Sequence, residues 1–246
     1  MLANPGALEE RGDANPAARL LIGGSMLISA GLAWAWTVSM GDMPGCHQPP
    51  LAPFLGMWTV MMAAMMFPAM IPVVLAFALF SRSRRGRPTL AAPLFVVGYL
   101  VVWGLLGVPA HAVERAATWV AGAVPGIAPW SGRIGGALLV LCGLYQLTPF
   151  KDACLRHCQL PHLFLGHHWR DGLGGALILG AHHGLYCAGC CASIMAVLLV
   201  VGVMDMTWMV ALSALIFLEK VLPAGRVLGR VAGCLLCAAG VARLAS

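Results

Sequence analysis

Charge is what this sequence has least of. Asp, Glu, Lys and Arg make up 10% of its 246 residues, against about 25% in an average soluble domain. Between Gly172 and Gly225 only Asp205, Glu219 and Lys220 are charged. A water-soluble domain needs a charged shell, and there is nothing here to build one. The sequence also has no Walker A loop, no dinucleotide glycine fingerprint, no HExxH and no G-x-S-x-G elbow, so the common nucleotide, zinc-protease and serine-hydrolase chemistries have no support. Acids inside apolar stretches are too few for the carboxylate relay of a proton-driven pump. Leu, Val, Ile and Phe are too abundant for a collagen, a disordered tail or a disulfide scaffold. What is present is apolar: 60% of residues, with a mean hydropathy of +0.86. The expectation is an all-α, polytopic transmembrane helix bundle.

A transmembrane helix needs about 20 largely apolar residues to cross about 30 Å of hydrocarbon. Seven runs qualify as candidates: Leu20–Met40, Phe54–Phe80, Leu90–Ala110, Arg133–Leu147, Leu173–Val203, Met206–Leu222 and Val227–Leu244. The fourth and sixth are short, and Pro68 and Pro72 should kink the second. The first follows an acidic leader (Glu9, Glu10, Asp13) and is longer than a signal-peptide core of about 7–15 residues, so it reads as a retained helix. The organisation expected is a cytoplasmic leader over 1–19 and one transmembrane domain over 20–246, with a cytoplasmic Cys/His loop at 148–172.

The net charge of +6 would raise the question of nucleic acid in a soluble domain. Here topology explains it, and no nucleic-acid partner is expected. With the N-terminus inside, twelve Lys and Arg fall on the cytoplasmic side, leaving only Arg115, Arg133 and Arg243 outside. That bias sets the orientation by the positive-inside rule. A multi-pass protein of a bacterial-type inner (plasma) membrane follows, with the lipid bilayer as its first partner. The nine cysteines, six of them in apolar segments, do not form a secreted framework and are read as reduced thiols.

Two spans carry unusual side chains. In the second, Met57, Met61 and Met65 step by four, as do Met62, Met66 and Met70, giving one broad methionine face. Packing is the plain reading of such a face; thioether ligation of a soft ion such as Cu(I) is the other. In the fifth, His183, Cys187 and Cys191 step by four, Cys190 follows Cys187 by three, and His182 sits at the edge of that stripe. Imidazole in hydrocarbon needs a partner, and imidazole with thiolate is a common ligand set for zinc, copper or iron. A metal site explains this group better than packing. At about 1.5 Å per residue both groups reach the bilayer midplane, Cys187 lying about 16 Å in.

The segment TPFKDACLRHCQLPHLFLGHHWRD supplies Cys154 and Cys158 one helical turn apart, with His157, His162, His167 and His168 nearby. It reads as a second, cytoplasm-facing ligand group, its thiols reduced. Outside, DMPGCH gathers Asp42, Met43, Cys46 and His47, a decorated turn more than a capture point. Asp205 suits the cap of the sixth helix, and Glu219 with Lys220 suits a snorkelling pair. Cys142, Cys234 and Cys237 read as packing.

The stretches MWTVMMAAMMFPAMIP, GLYQLTPFKDACLRHC, HHGLYCAGCCASIM and VVGVMDMTWMVALSALIFLEKVLPAG closely resemble the predicted metal-binding integral membrane protein family known as domain of unknown function 2182. The resemblance runs from about Met57 to Gly240. It implies a polytopic metal-binding protein whose patterns fall on Met61–Met66, Cys154–Cys158, His183–Cys191 and Glu219–Pro223. Ala192 and Ser193, after the double Cys, and Asp205 depart from the pattern.

The function expected is binding of a soft transition metal, copper above zinc or iron, for handling or delivery. The candidate ligands are His183, Cys187, Cys190, Cys191, Met61, Met62, Met65, Met66, Cys154, Cys158 and His182. A metal-delivering or metal-accepting protein or membrane complex is the implied partner. The alternative is an integral-membrane metalloenzyme, or a subunit of a metal-dependent oxidase or monooxygenase. A thiol–disulfide enzyme using Cys187 and Cys190 is disfavoured, because burial discourages the thiolate.

Overall fold

The computed structural model describes residues 16–41, 49–83, 88–124, 126, 128–201 and 205–245. These form helices and their connections, with no strand among the described residues. In chain order they are α1 (Pro16–Gly41), α2 (Leu51–Ser83), α3 (Pro88–Ala123), a 3-10 turn (Ala128–Trp130), α4 (Ser131–Gln146), α5 (Pro149–Gln159), α6 (Pro161–His168), α7 (Gly172–Val201), α8 (Met206–Val221) and α9 (Gly225–Ala245).

Each of the seven apolar runs is a helix, but they are not equivalent. Five helices, α1, α2, α3, α7 and α9, are long and apolar enough to cross a membrane. A sixth is reached only by joining α4 to α5, which meet at a bend of 61°. With 16 residues, α8 is about 24 Å long and falls short of about 30 Å of hydrocarbon. Against about seven spans expected, five helices, or six with the bent pair, have the length and apolarity of a span among the described residues. Pro68 and Pro72 lie inside one continuous helix.

Close helix pairs are made by glycine. A Cβ on Gly98 of α3 would run into the Leu177 carbonyl of α7, and one on Gly180 into the Phe95 carbonyl. Gly136 and Gly143 of α4 meet Gly240 and Gly233 of α9 in the same way. Where lipid is as apolar as leucine, helices associate through close packing of small residues. The outer surface matches: Leu20, Leu21 and Ile28 of α1, Leu105 of α3 and Leu235 of α9 are largely exposed, as suits hydrocarbon.

The Cys/His segment is helical. Thr148 caps α5 by accepting from the Lys151 amide at 3.4 Å, and proline opens both α5 and α6, the position where its missing N–H costs nothing. Of these short helices, α5 packs against α7, and α6 packs against α2 and α5. α2 packs on α1, α3 and α8, so its methionine face reaches the centre from the α8 side.

Candidate metal centre

α7 turns His183, Cys187, Cys190 and Cys191 inward, none more than 2% exposed. Steps of three and four place them there. From the other side α5 brings Cys158, whose Sγ lies 3.8 Å from Cys190 Sγ. Cys190 Sγ is in turn 3.5 Å from Cys191 Sγ and donates to the Cys187 carbonyl at 3.2 Å. Thiolates around one tetrahedral zinc, with Zn–S about 2.3 Å, stand about 3.8 Å apart. The Cys158–Cys190 and Cys190–Cys191 pairs are therefore each spaced as two groups that can share an ion. All are free thiols.

Gly189 lets α5 come this close. A Cβ there would sit 2.8 Å from Cys154 Sγ, and the Gly189 carbonyl accepts from Tyr145 Oη at 2.6 Å. Cys154 is buried on that contact, one turn before Cys158.

Cys187 has the most polar surroundings. Lys220 Nζ, from α8, donates to its Sγ at 2.9 Å and lies 3.8 Å from Met66 Sδ of α2. Tyr99 Oη, from α3, shares a hydrogen bond with Cys187 Sγ at 3.1 Å. A positive group thus sits between a thiol and a thioether, supplied by three helices. His183 stacks on Phe95 and Tyr99, with centroids 6.0 and 5.9 Å away, and its buried Nδ1 has no hydrogen-bond partner.

Beside the cluster, Lys151 Nζ and Glu219 Oε2 form an ion pair at 2.7 Å, their side chains 1% and 3% exposed. This corrects the expected Glu219–Lys220 snorkelling pair. Adjacent residues on a helix do not face each other, so Glu219 turns to Lys151 and Lys220 turns to Cys187, and both stay inside.

The sequence candidates divide as follows. Cys158, Cys187, Cys190, Cys191 and Met66 come together. Cys154 stands one turn away, so α5 delivers its thiols to α7 and does not hold them apart as a separate group. Met61, Met62 and Met65 are fully buried in the hydrophobic core around Phe54, Trp58 and Trp103. His183 lines the cluster behind Tyr99, and His182 is half-buried on the neighbouring face. Asp205 caps α8, its carboxylate accepting from the Trp208 amide at 3.1 Å. Asp42, Met43, Cys46 and His47 lie outside the described residues. Among the described residues, no group of three or more His, Cys, Asp or Glu side chains is placed to hold a metal ion; the soft donors here include a thioether, and an ammonium stands among them.

Residues 55–243 match the family described as PpoB2, a copper chaperone. The chain belongs to this family. No curated protein and no solved structure matches it. The family match spans every residue of the cluster, Met66, Tyr99, Cys158, Cys187, Cys190, Cys191 and Lys220 included. It supports the metal-related part of the sequence resemblance and gives it the copper chaperone name in place of domain of unknown function 2182. Thiolate and thioether are soft donors that suit Cu(I) as well as zinc and iron–sulfur centres, so the site chemistry is compatible with the family description. Three residues were not read from sequence as neighbours of the cluster: Lys220, Lys151 and Tyr99. A signal existed for the first, since a charge within an apolar span marks function by default. Tyr99 had none, being one aromatic among others in its span, with Phe95 and Trp103 four residues to either side.

Proposed function

We propose that this protein is an integral protein of a bacterial-type inner membrane, N-terminus in the cytoplasm, which binds Cu(I) as cargo and hands it to or receives it from a partner protein or membrane complex. The observation that carries the reading is the Lys220 ammonium held between Cys187 Sγ and Met66 Sδ. A cation already occupies the meeting point of soft donors from α7 and α2. Cys158, Cys187, Cys190 and Cys191 supply thiolates and Met66 a thioether, a set suited to Cu(I) and poor for hard ions. Cys154, His183 and the other methionines Met61, Met62 and Met65 form the wall that keeps water out. His182 stands outside that wall. Copper ranks above zinc and iron on the family description and on the Met66 thioether, a donor soft enough for Cu(I).

The test uses the full chain, purified in detergent under reducing conditions and loaded with Cu(I) against a chromogenic competitor. Copper should be retained with a sulfur-dominated X-ray absorption spectrum. Replacing Cys158 and Cys190 by Ala should weaken binding about 100-fold or more, in the range of large effects on metal sites, while membrane insertion is unchanged. Full copper retention by that double variant would place the site elsewhere.

A further inference from the structure

Three imidazoles from three helices meet outside the sulfur cluster, around Tyr186. His157 of α5, His168 of α6 and His182 of α7 are each half-buried. His157 lies flat on the Tyr186 ring, with centroids 4.1 Å apart. His168 stands edge-on to its neighbours, 6.3 Å from His157 and 5.8 Å from His182. Two of the rings are oriented by backbone: His157 Nδ1 is 2.9 Å from the Ala153 carbonyl and His168 Nδ1 is 3.2 Å from the Phe164 carbonyl. A carbonyl can only accept, so each Nδ1 carries the hydrogen, and in the neutral ring Nε2 keeps a free lone pair. A carbonyl on the far nitrogen is the common support of a metal-bound imidazole.

The spacing fits a shared ion. A metal–nitrogen distance of about 2.0–2.1 Å puts the ring centroid about 3.2 Å from the ion, so two rings on one ion have centroids about 5–6.4 Å apart. Both histidine pairs fall in that range. We infer that His157, His168 and His182 form an exchange station where Cu(I) is held by two imidazoles at a time on its way into or out of the sulfur cluster. The inference rests on the copper-handling reading. α5 is the polar helix, and Arg156, next to His157, is exposed, so the station meets water and not hydrocarbon. Phe164 joins it to the interior, 5.2 Å from His168 and 5.3 Å from His183. His183, its Nδ1 without a partner, is the next nitrogen inward, one helical turn from Cys187. The step is ligand exchange with no electron transfer: Cu–N bonds break, Cu–S bonds form, and the thiol proton is released to water. Two-ligand holding suits a transient stop.

The test is His168→Phe with His182→Phe, which keeps the rings and removes the nitrogens. The full chain in lipid nanodiscs is offered Cu(I) as its coloured bicinchoninate complex, and transfer is followed by loss of colour. Uptake should slow tenfold or more, with the same final copper per chain; uptake at the unaltered rate would overturn the station. A second arm replaces Cys158, Cys187, Cys190 and Cys191 by Ala. That chain should keep a weak, nitrogen-bound Cu(I) that the two His→Phe changes abolish. Absence of nitrogen-bound copper there also overturns the station. Copper without sulfur neighbours in the unaltered chain would instead sink the sulfur site, and leave the imidazole result standing by itself.

Discussion

At Lys151 and Glu219 two full charges lie almost out of reach of solvent, tied to each other at 2.7 Å. Attraction in such a place is offset by the desolvation of both ions, so the pair by itself is a weak stabiliser. Losing one partner is different, because the survivor is left buried and uncompensated. Lys151→Met should therefore destabilise the chain by about 3–5 kcal/mol, whereas Lys151→Met combined with Glu219→Met should recover most of that loss. Thermal unfolding in detergent, run on the single and double variants, checks both halves; equal midpoints for the two would contradict the pairing. The sequence displays Lys151, Glu219 and Lys220 plainly, yet not who faces whom. Glu219 and Lys220 are neighbours in the chain and strangers in space, since successive residues of a helix point about 100° apart. Partner choice was decided by α5, whose position no local pattern encodes.

Helices show where local pattern suffices. Apolar length located α1, α2, α3, α7 and α9, because each must be covered by hydrocarbon or by another helix along its whole length. The pattern failed for α5 and α6, whose polarity reads as loop and whose helicity is fixed by Thr148, Pro149 and Pro161 at their starts. Steps of four on α7 assembled its own ligands; Cys158 joined them through tertiary packing, which periodicity within one segment cannot reveal. The glycines of α3 and α7 show the same division. Gly98 and Gly56 look alike in sequence, but a Cβ on Gly98 meets the α7 backbone while one on Gly56 meets nothing within 4 Å. Gly98→Ala should cost about 1–3 kcal/mol, the usual penalty of overpacking, because backbone cannot step aside as a side chain can. Gly56→Ala should be neutral or gain about 0.5–1 kcal/mol of helix propensity. Unfolding midpoints measured side by side decide it; similar shifts for the two would mean α3 and α7 are not in contact at Gly98.

For the molecule as a whole, the proposed orientation rests on basic residues and is independent of the bundle's interior. It puts the N-terminal leader and the segments around Arg84 and Lys151 on the cytoplasmic side and the DMPGCH turn on the other. In intact cells a membrane-impermeant maleimide should label Cys46, and should fail to label a cysteine introduced at Ser83. The reverse pattern would invert the topology, and would put the imidazole station on the outer face. The sulfur cluster would be unaffected, since its geometry does not depend on which way the bundle is inserted.

Lys220 beside Cys187 has a further consequence, for discrimination between ions of different valence. The space among the sulfurs is built around one unit of positive charge. For a given number of thiol protons released, a monovalent ion that enters as the ammonium withdraws replaces its charge unit for unit. A divalent ion would leave one unit in excess, in surroundings where uncompensated charge costs several kcal/mol. The lysine is then a gauge as well as a placeholder: Ag(I) should displace Cu(I) from the full chain nearly one for one, and Zn(II) at the same concentration should not. Competition followed by elemental analysis reads the result directly, and displacement by Zn(II) as effective as by Ag(I) would show that valence is not what this interior measures.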